Sequence, residues 1–126
     1  MYFQAKILDS YDNSLICTTS SYSQKEIVYK ELRGEIDKIG QTIAEKVDDC
    51  QYLGDVEYEE GKEFNDHHER WDFNKKTLSE WVECAIEVGN YNGPLVDIRI
   101  ETNEILDKYV PIDVAVVGTN EKPFST

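Results

Sequence analysis

The 126 residues include 13 Lys and Arg against 26 Asp and Glu, a formal net charge of −13, with 40% hydrophobic residues and eight Tyr. That length suits one domain with a core of its own, while the acidic excess disfavours direct contact with nucleic acid or an anionic membrane surface, where every phosphate would add repulsion. No window approaches the ~20 apolar residues of a membrane span, and the N-terminus has no signal-peptide pattern. Three cysteines, Cys17, Cys50 and Cys84, form no Cys-x-x-Cys pair and each sits in an apolar-periodic segment, so they read as buried, reduced thiols of a cytoplasmic protein.

Taken in order, residues 2 to 8 alternate, with Phe3, Ala5 and Ile7 on one side and Gln4 and Lys6 on the other, which predicts a first strand. The turn formers from Asp9 to Ser14 lead to the β-branched and apolar run Leu15 to Thr19, and together they predict an opening hairpin. Ser23 and Glu26 have capping-box spacing, so a helix is expected to start there. Apolar residues then recur at Val28, Leu32, Ile36, Ile39, Ile43, Val47 and Cys50, close to the 3.6-residue period, which predicts one long helix from Lys25 to Asp49. Gly34 and Gly40 weaken it, and the expected place for a kink or break is near Gly40. Lys30, Lys38 and Lys46 fall off the apolar stripe and read as a solvated flank.

Thr77 and Glu80 give a second capping box, followed by an apolar face of Leu78, Trp81, Val82 and Ala85, extending toward Val88, that stops at Gly89 and Asn90. Glu80, Glu83 and Glu87 line the opposite side of this helix as a solvated acidic ridge. Tyr91 to Pro94 reads as a turn. Val96, Ile98 and Ile100 alternate with Asp97, Arg99 and Glu101 in the clearest strand of the chain, and Ile112 to Val117 reads as a last strand after Pro111. The whole is a single α+β domain over 1–126, with 119–126 a frayed tail: an antiparallel sheet of about four to six strands with two helices packed on one face.

The stretch from Asp48 to Asp72 stands apart. It holds ten carboxylates, Asp48, Asp49, Asp55, Glu57, Glu59, Glu60, Glu63, Asp66, Glu69 and Asp72, against Lys62 and Arg70, so 25 residues carry a net −8 and the rest of the chain only −5. Val56 and Tyr58 alternate with Glu57 and Glu59, and Gly61 can turn the chain back toward Phe64, so a hairpin is expected, with a loop as the competing reading. Aromatic residues sit among the acids, and Tyr58 and Trp71 are the candidate anchors for a partner, since carboxylates steer while desolvated aromatic side chains hold.

Other chemistry is poorly supported. Adjacent His67 and His68 point apart on either a strand or a helix, and no second pair completes a metal site. Asp55 to Gly61 resembles a calcium loop only loosely, with Val and Tyr between the acids and the Gly one residue later than the motif places it. There is no phosphate loop, Gly-x-Ser-x-Gly or Walker pattern. No catalytic residue, cofactor or metal is therefore expected. The expected partner-binding residues are Asp48, Asp49, Asp55, Glu57, Tyr58, Glu59, Glu60, Glu63, Asp66, Glu69, Trp71 and Asp72, and the expected partner is basic: a nuclease or other nucleic-acid-binding protein.

Such a chain would act as an inhibitor by exclusion, imitating a duplex that offers one negative charge per ~1.7 Å of axis. Phage anti-defence proteins of the anti-CRISPR or anti-restriction kind and immunity proteins that neutralise nuclease toxins share that physics. A small-ligand or nucleotide-binding module is the reading from a different class, with Arg99 as the residue that would grip an anion.

Overall fold

The computed structural model describes residues 1–57 and 71–102. In chain order the elements are β1 (Phe3–Asp9), β2 (Leu15–Thr18), α1 (Lys25–Gly34), α2 (Ile36–Lys46), β3 (Cys50–Tyr52), β4 (Trp71–Phe73), α3 (Lys75–Val88), β5 (Asn90–Asn92) and β6 (Val96–Thr102). Four of the strands form an antiparallel sheet in the order β2-β1-β6-β5, and β3 with β4 forms a separate two-stranded ribbon. The class is α+β.

Period-two alternation builds the sheet. Ala5, Ile7, Val96 and Ile98 point to one face, where they are buried with the helices packed over them. In the register Lys6 lies opposite Arg99 and Gln4 opposite Glu101, so the other face is polar. Lys6 pairs with Glu101 at 3.2 Å and Arg99 approaches Asp97 at 3.8 Å. These exposed pairs neutralise the face more than they stabilise it, at roughly 0–1 kcal/mol each.

The helical stripe is buried as its spacing requires: Val28, Leu32, Ile36, Ile39, Ile43 and Val47 all enter the core, with Cys50 packed against it. The single long helix, however, is two helices. Glu35, with φ −112 and ψ 22, separates them. Its N–H is shared between the carbonyls of Glu31 and Leu32, after which the bond from the Ile39 N–H to the Glu35 carbonyl resumes the ladder. The break falls beside Gly34, not Gly40, and α2 ends at Lys46, short of Asp49. Gly40 stays helical and buried because the Tyr52 ring lies on it: a β-carbon there would stand 2.5 Å from that ring.

Both expected caps are also displaced. Gln24, not Ser23, is the N-cap of α1, and it makes no side-chain cap bond. A contact from farther along the chain secures the entry instead, with the Tyr22 hydroxyl and the Ser20 N–H donating to the Glu31 carboxylate. At α3 the cap is Asn74, whose Oδ1 accepts from both the N–H and the hydroxyl of Thr77 at 2.9 Å, so the helix starts two residues before Thr77. Its end is as the sequence predicts, at Gly89 in the left-handed region with φ 94.

Two short strands have no counterpart in the sequence reading. Tyr91 belongs to β5, paired with β6, and β3 runs parallel to β4. The aromatic side chains of the short strands β3, β4 and β5, with Trp81 of α3, continue the core as a row: Tyr52 to Phe73 at 5.3 Å, Phe73 to Trp81 at 5.6 Å, and Trp81 to Tyr91 at 5.5 Å between ring centroids. The strand expected at Ile112 to Val117 and the hairpin expected beyond Glu57 lie outside the described residues.

Candidate functional site

After the C-cap Val47 the chain turns sharply, with Asp49 in the left-handed region at φ 60. Asp and Asn tolerate that conformation better than most residues. Asp48 and Asp49 are both exposed, and the Asp49 carbonyl accepts the Trp71 N–H at 2.7 Å, which sets the parallel register Cys50 to Trp71, Gln51 to Asp72 and Tyr52 to Phe73. The two limbs of the acidic stretch are thereby fixed side by side.

The next turn is tied to α3. Gly54, at φ 59, offers its carbonyl to the Lys75 N–H at 2.7 Å, and Asn74 Nδ2 donates to the Val56 carbonyl at 2.7 Å. Asp55 and Glu57 project into solvent from this tethered segment. Between the segment and the start of α3 lies a cavity of about 300 Å³ whose walls include Asp55, Glu57, Lys75, Lys76 and Thr77.

Ion pairing among these acids is sparse. Lys75 stands 3.5 Å from Asp37 and 4.0 Å from Asp55, and among the described residues Asp48, Asp49 and Glu57 have no ion-pair partner. The Tyr52 hydroxyl donates to Asp37, and that bond, with Lys75 beside it, holds the Asp37 carboxyl below the usual carboxylate range. Burial and the Asp37 carboxylate push the Tyr52 phenol up.

Cys50 shows how the negative charge gathers. Its thiol donates to the carbonyls of Ile43 and Val47 and is pushed up to about 11, first by burial and then by the carboxylates of Asp9, Asp48, Asp49 and Asp72. Those four acids come from three separate segments, the end of β1, the turn after α2, and β4. Asp9 is a member that the sequence reading missed, since a turn former 39 residues before Asp48 gives no sign of sharing its end of the molecule.

Trp71 and Asp72 are half-buried, and Trp71 packs against the core beside Phe73. Tyr58, Glu59, Glu60, Glu63, Asp66 and Glu69, with His67 and His68, lie outside the described residues. Among the described residues no group of His, Cys, Asp and Glu is arranged to hold a metal ion. The ridge on α3 is partly neutralised: Glu83 takes two bonds from the Arg33 guanidinium, at 2.7 and 2.8 Å, joining α1 to α3.

Lys46 is more than a solvated flank, since its Nζ donates to the Ile16 carbonyl at 3.0 Å. The expectation of three core cysteines needs correction, because Cys84 falls on the outer side of α3 and is exposed, and Cys17 and Cys50 are half-buried. Arg99 faces the polar side of the sheet, away from the lining of the cavity beside α3. Comparison of the chain with protein-family models, with curated proteins and with solved structures finds no match.

Proposed function

We propose that this protein is a small acidic inhibitor that occupies the basic, nucleic-acid-binding surface of a nuclease or defence effector. The observation that carries the reading is the convergence of Asp9, Asp48, Asp49 and Asp72 around Cys50, with Asp48 and Asp49 exposed and without ion-pair partners among the described residues. Carboxylates held on separate, hydrogen-bonded segments keep their spacing when a partner arrives, so little ordering cost is added on binding. A Lys- and Arg-rich surface built for phosphates meets a comparable field here, and the target's own electrostatics recruit its blocker. The protein works stoichiometrically, by exclusion.

The test is capture of a partner from bacterial lysate by the full chain at low salt and at ~0.5 M salt, where screening shortens to a few ångströms. The expected partner is a nucleic-acid-binding protein that is lost at high salt and displaced by added DNA or RNA. In a variant combining Asp48→Lys, Asp49→Asn and Glu57→Lys, association slows by roughly tenfold or more and its salt dependence flattens. Unchanged association in that variant would remove the described acids from the interface.

A further inference from the structure

The turn from Asp9 to Ser14 places large apolar side chains where the fold has no use for them. Tyr11, at its tip, is 94% exposed, and Leu15, the first residue of β2, is 52% exposed. Leu15 pairs across the strands with Leu8, which lies on the polar side of the sheet because its neighbour Ile7 faces the core. Single exposed apolar residues are ordinary, but Tyr11 and Leu15 are exposed on one hairpin, with the half-buried Leu8 paired to Leu15.

The hairpin is also firm. The Asp9 carboxylate accepts the Tyr11 N–H at 2.8 Å, that of Asp12 accepts the Ser14 N–H at 2.9 Å, and the Ser10 N–H reaches the Leu95 carbonyl at 3.2 Å. Acids flank the apolar corner in the turn, Asp9 and Asp12, while Asp97, opposite Leu8 on β6, is paired with Arg99 on the same face. Asp9 joins the corner to the field of Asp48 and Asp49.

We infer that Tyr11, Leu15 and Leu8 form the apolar anchor of the partner-binding surface, and that they receive a basic protein segment in which Lys or Arg alternates with apolar side chains. Charge complementarity selects that occupant: a purely apolar partner would strand the surrounding carboxylates, and a purely basic one would leave Tyr11 in water. The inference rests on the acidic-surface reading and adds to it the source of affinity. It moves the anchor from Trp71, which is half-buried against the core, to the first hairpin.

The test uses two synthetic peptides of equal length and charge, one alternating leucine with lysine and one alternating serine with lysine, titrated into the full chain at low salt and followed by amide NMR shifts. The leucine peptide is expected to bind roughly tenfold tighter or better, with the largest shifts at Leu8, Tyr11 and Leu15. Tyr11→Ser and Leu15→Thr, both at exposed positions, are expected to erase the difference between the peptides while leaving the weaker, salt-sensitive binding of the serine peptide intact. Equal affinities, or shifts that avoid the hairpin, overturn the anchor while the acidic surface stands. Binding of neither peptide overturns both.

Discussion

Gly40 and Gly34 sit six residues apart in one helical region and answer the same substitution in opposite directions. Replacing a helical Gly by Ala gains up to about 1 kcal/mol of helix preference. At Gly34 nothing stands within 4 Å of the added carbon, so Gly34→Ala is expected to stabilise the protein by roughly 0.5–1 kcal/mol. At Gly40 the carbon would meet the Tyr52 ring at 2.5 Å, and moving that ring disturbs its contact with Phe73 and its bond to Asp37. Gly40→Ala is therefore expected to cost about 1–3 kcal/mol, and urea denaturation of the two variants measures both signs.

The thiols give a second residue-scale test. Burial pushes Cys17 and Cys50 up to about 11 from an ordinary value near 9.0, so folding favours their protonated forms. The stability this contributes is complete below pH 9 and is lost as pH rises through about 11, because the unfolded chain ionises first. Unfolding midpoints measured from pH 8 to 11 are expected to fall, and the fall to be shallower when both thiols are replaced by Ala. At neutral pH a thiol reagent is expected to modify the exposed Cys84 about a hundredfold faster or more than the other two.

At the scale of elements, Asn74 joins two parts of the fold. Its Oδ1 caps α3 while its Nδ2 holds the Val56 carbonyl, so one side chain fixes both the helix start and the segment that carries Asp55 and Glu57. Asn74→Ala is expected to lower stability by about 1–2 kcal/mol, and Asn74→Asp to retain the cap while losing the grip on Val56. Hydrogen exchange at Val56 and Glu57 separates the two effects.

What the sequence made legible follows from how many residues carry each signal. The strands β1 and β6 have seven residues of alternation each, and the stripe from Val28 to Val47 spans more than five turns, so all three were readable. The strands β3, β4 and β5 have three residues each, too few to show a period, and their positions come from pairing with distant partners. The caps were misplaced for a related reason. Ser23 and Thr77 have suitable chemistry and spacing, but Glu31 reaching back to Ser20 and Asn74 following β4 decide the actual entries. Among the candidate-site residues, the acids of one continuous stretch could be singled out from the sequence, whereas Asp9 comes near Asp48 and Asp49, and Asp37 near Lys75 and Asp55, only through tertiary structure.

For the whole molecule, a net charge of −13 on 126 residues sets general repulsion against a few local pairs. Arg33 with Glu83, Lys75 with Asp37 and Lys6 with Glu101 are all largely exposed, and each is weakened by salt. The summed repulsion is screened as well and should dominate, so raising salt from ~0.01 to ~0.5 M is expected to raise the melting temperature by several degrees. A melting temperature that falls would mean that the local pairs outweigh the overall charge. The same screening should weaken binding to a basic partner, so a buffer that best preserves the fold is one that hides its interaction.

The two middle strands of the sheet are β1 and β6, with Phe3 opposite Thr102. A growing chain on the ribosome therefore makes one half of its central pair long before the other and must hold it open until nearly a hundred residues later. Among the described residues, the first hairpin, the helices and the β3–β4 pair are what can find partners in the meantime. Refolding that depends on closing so large a loop belongs on a scale on the order of milliseconds to seconds, and nascent chains stopped before Val96 would present the long side of β1 bare, a template for pairing with any neighbouring strand.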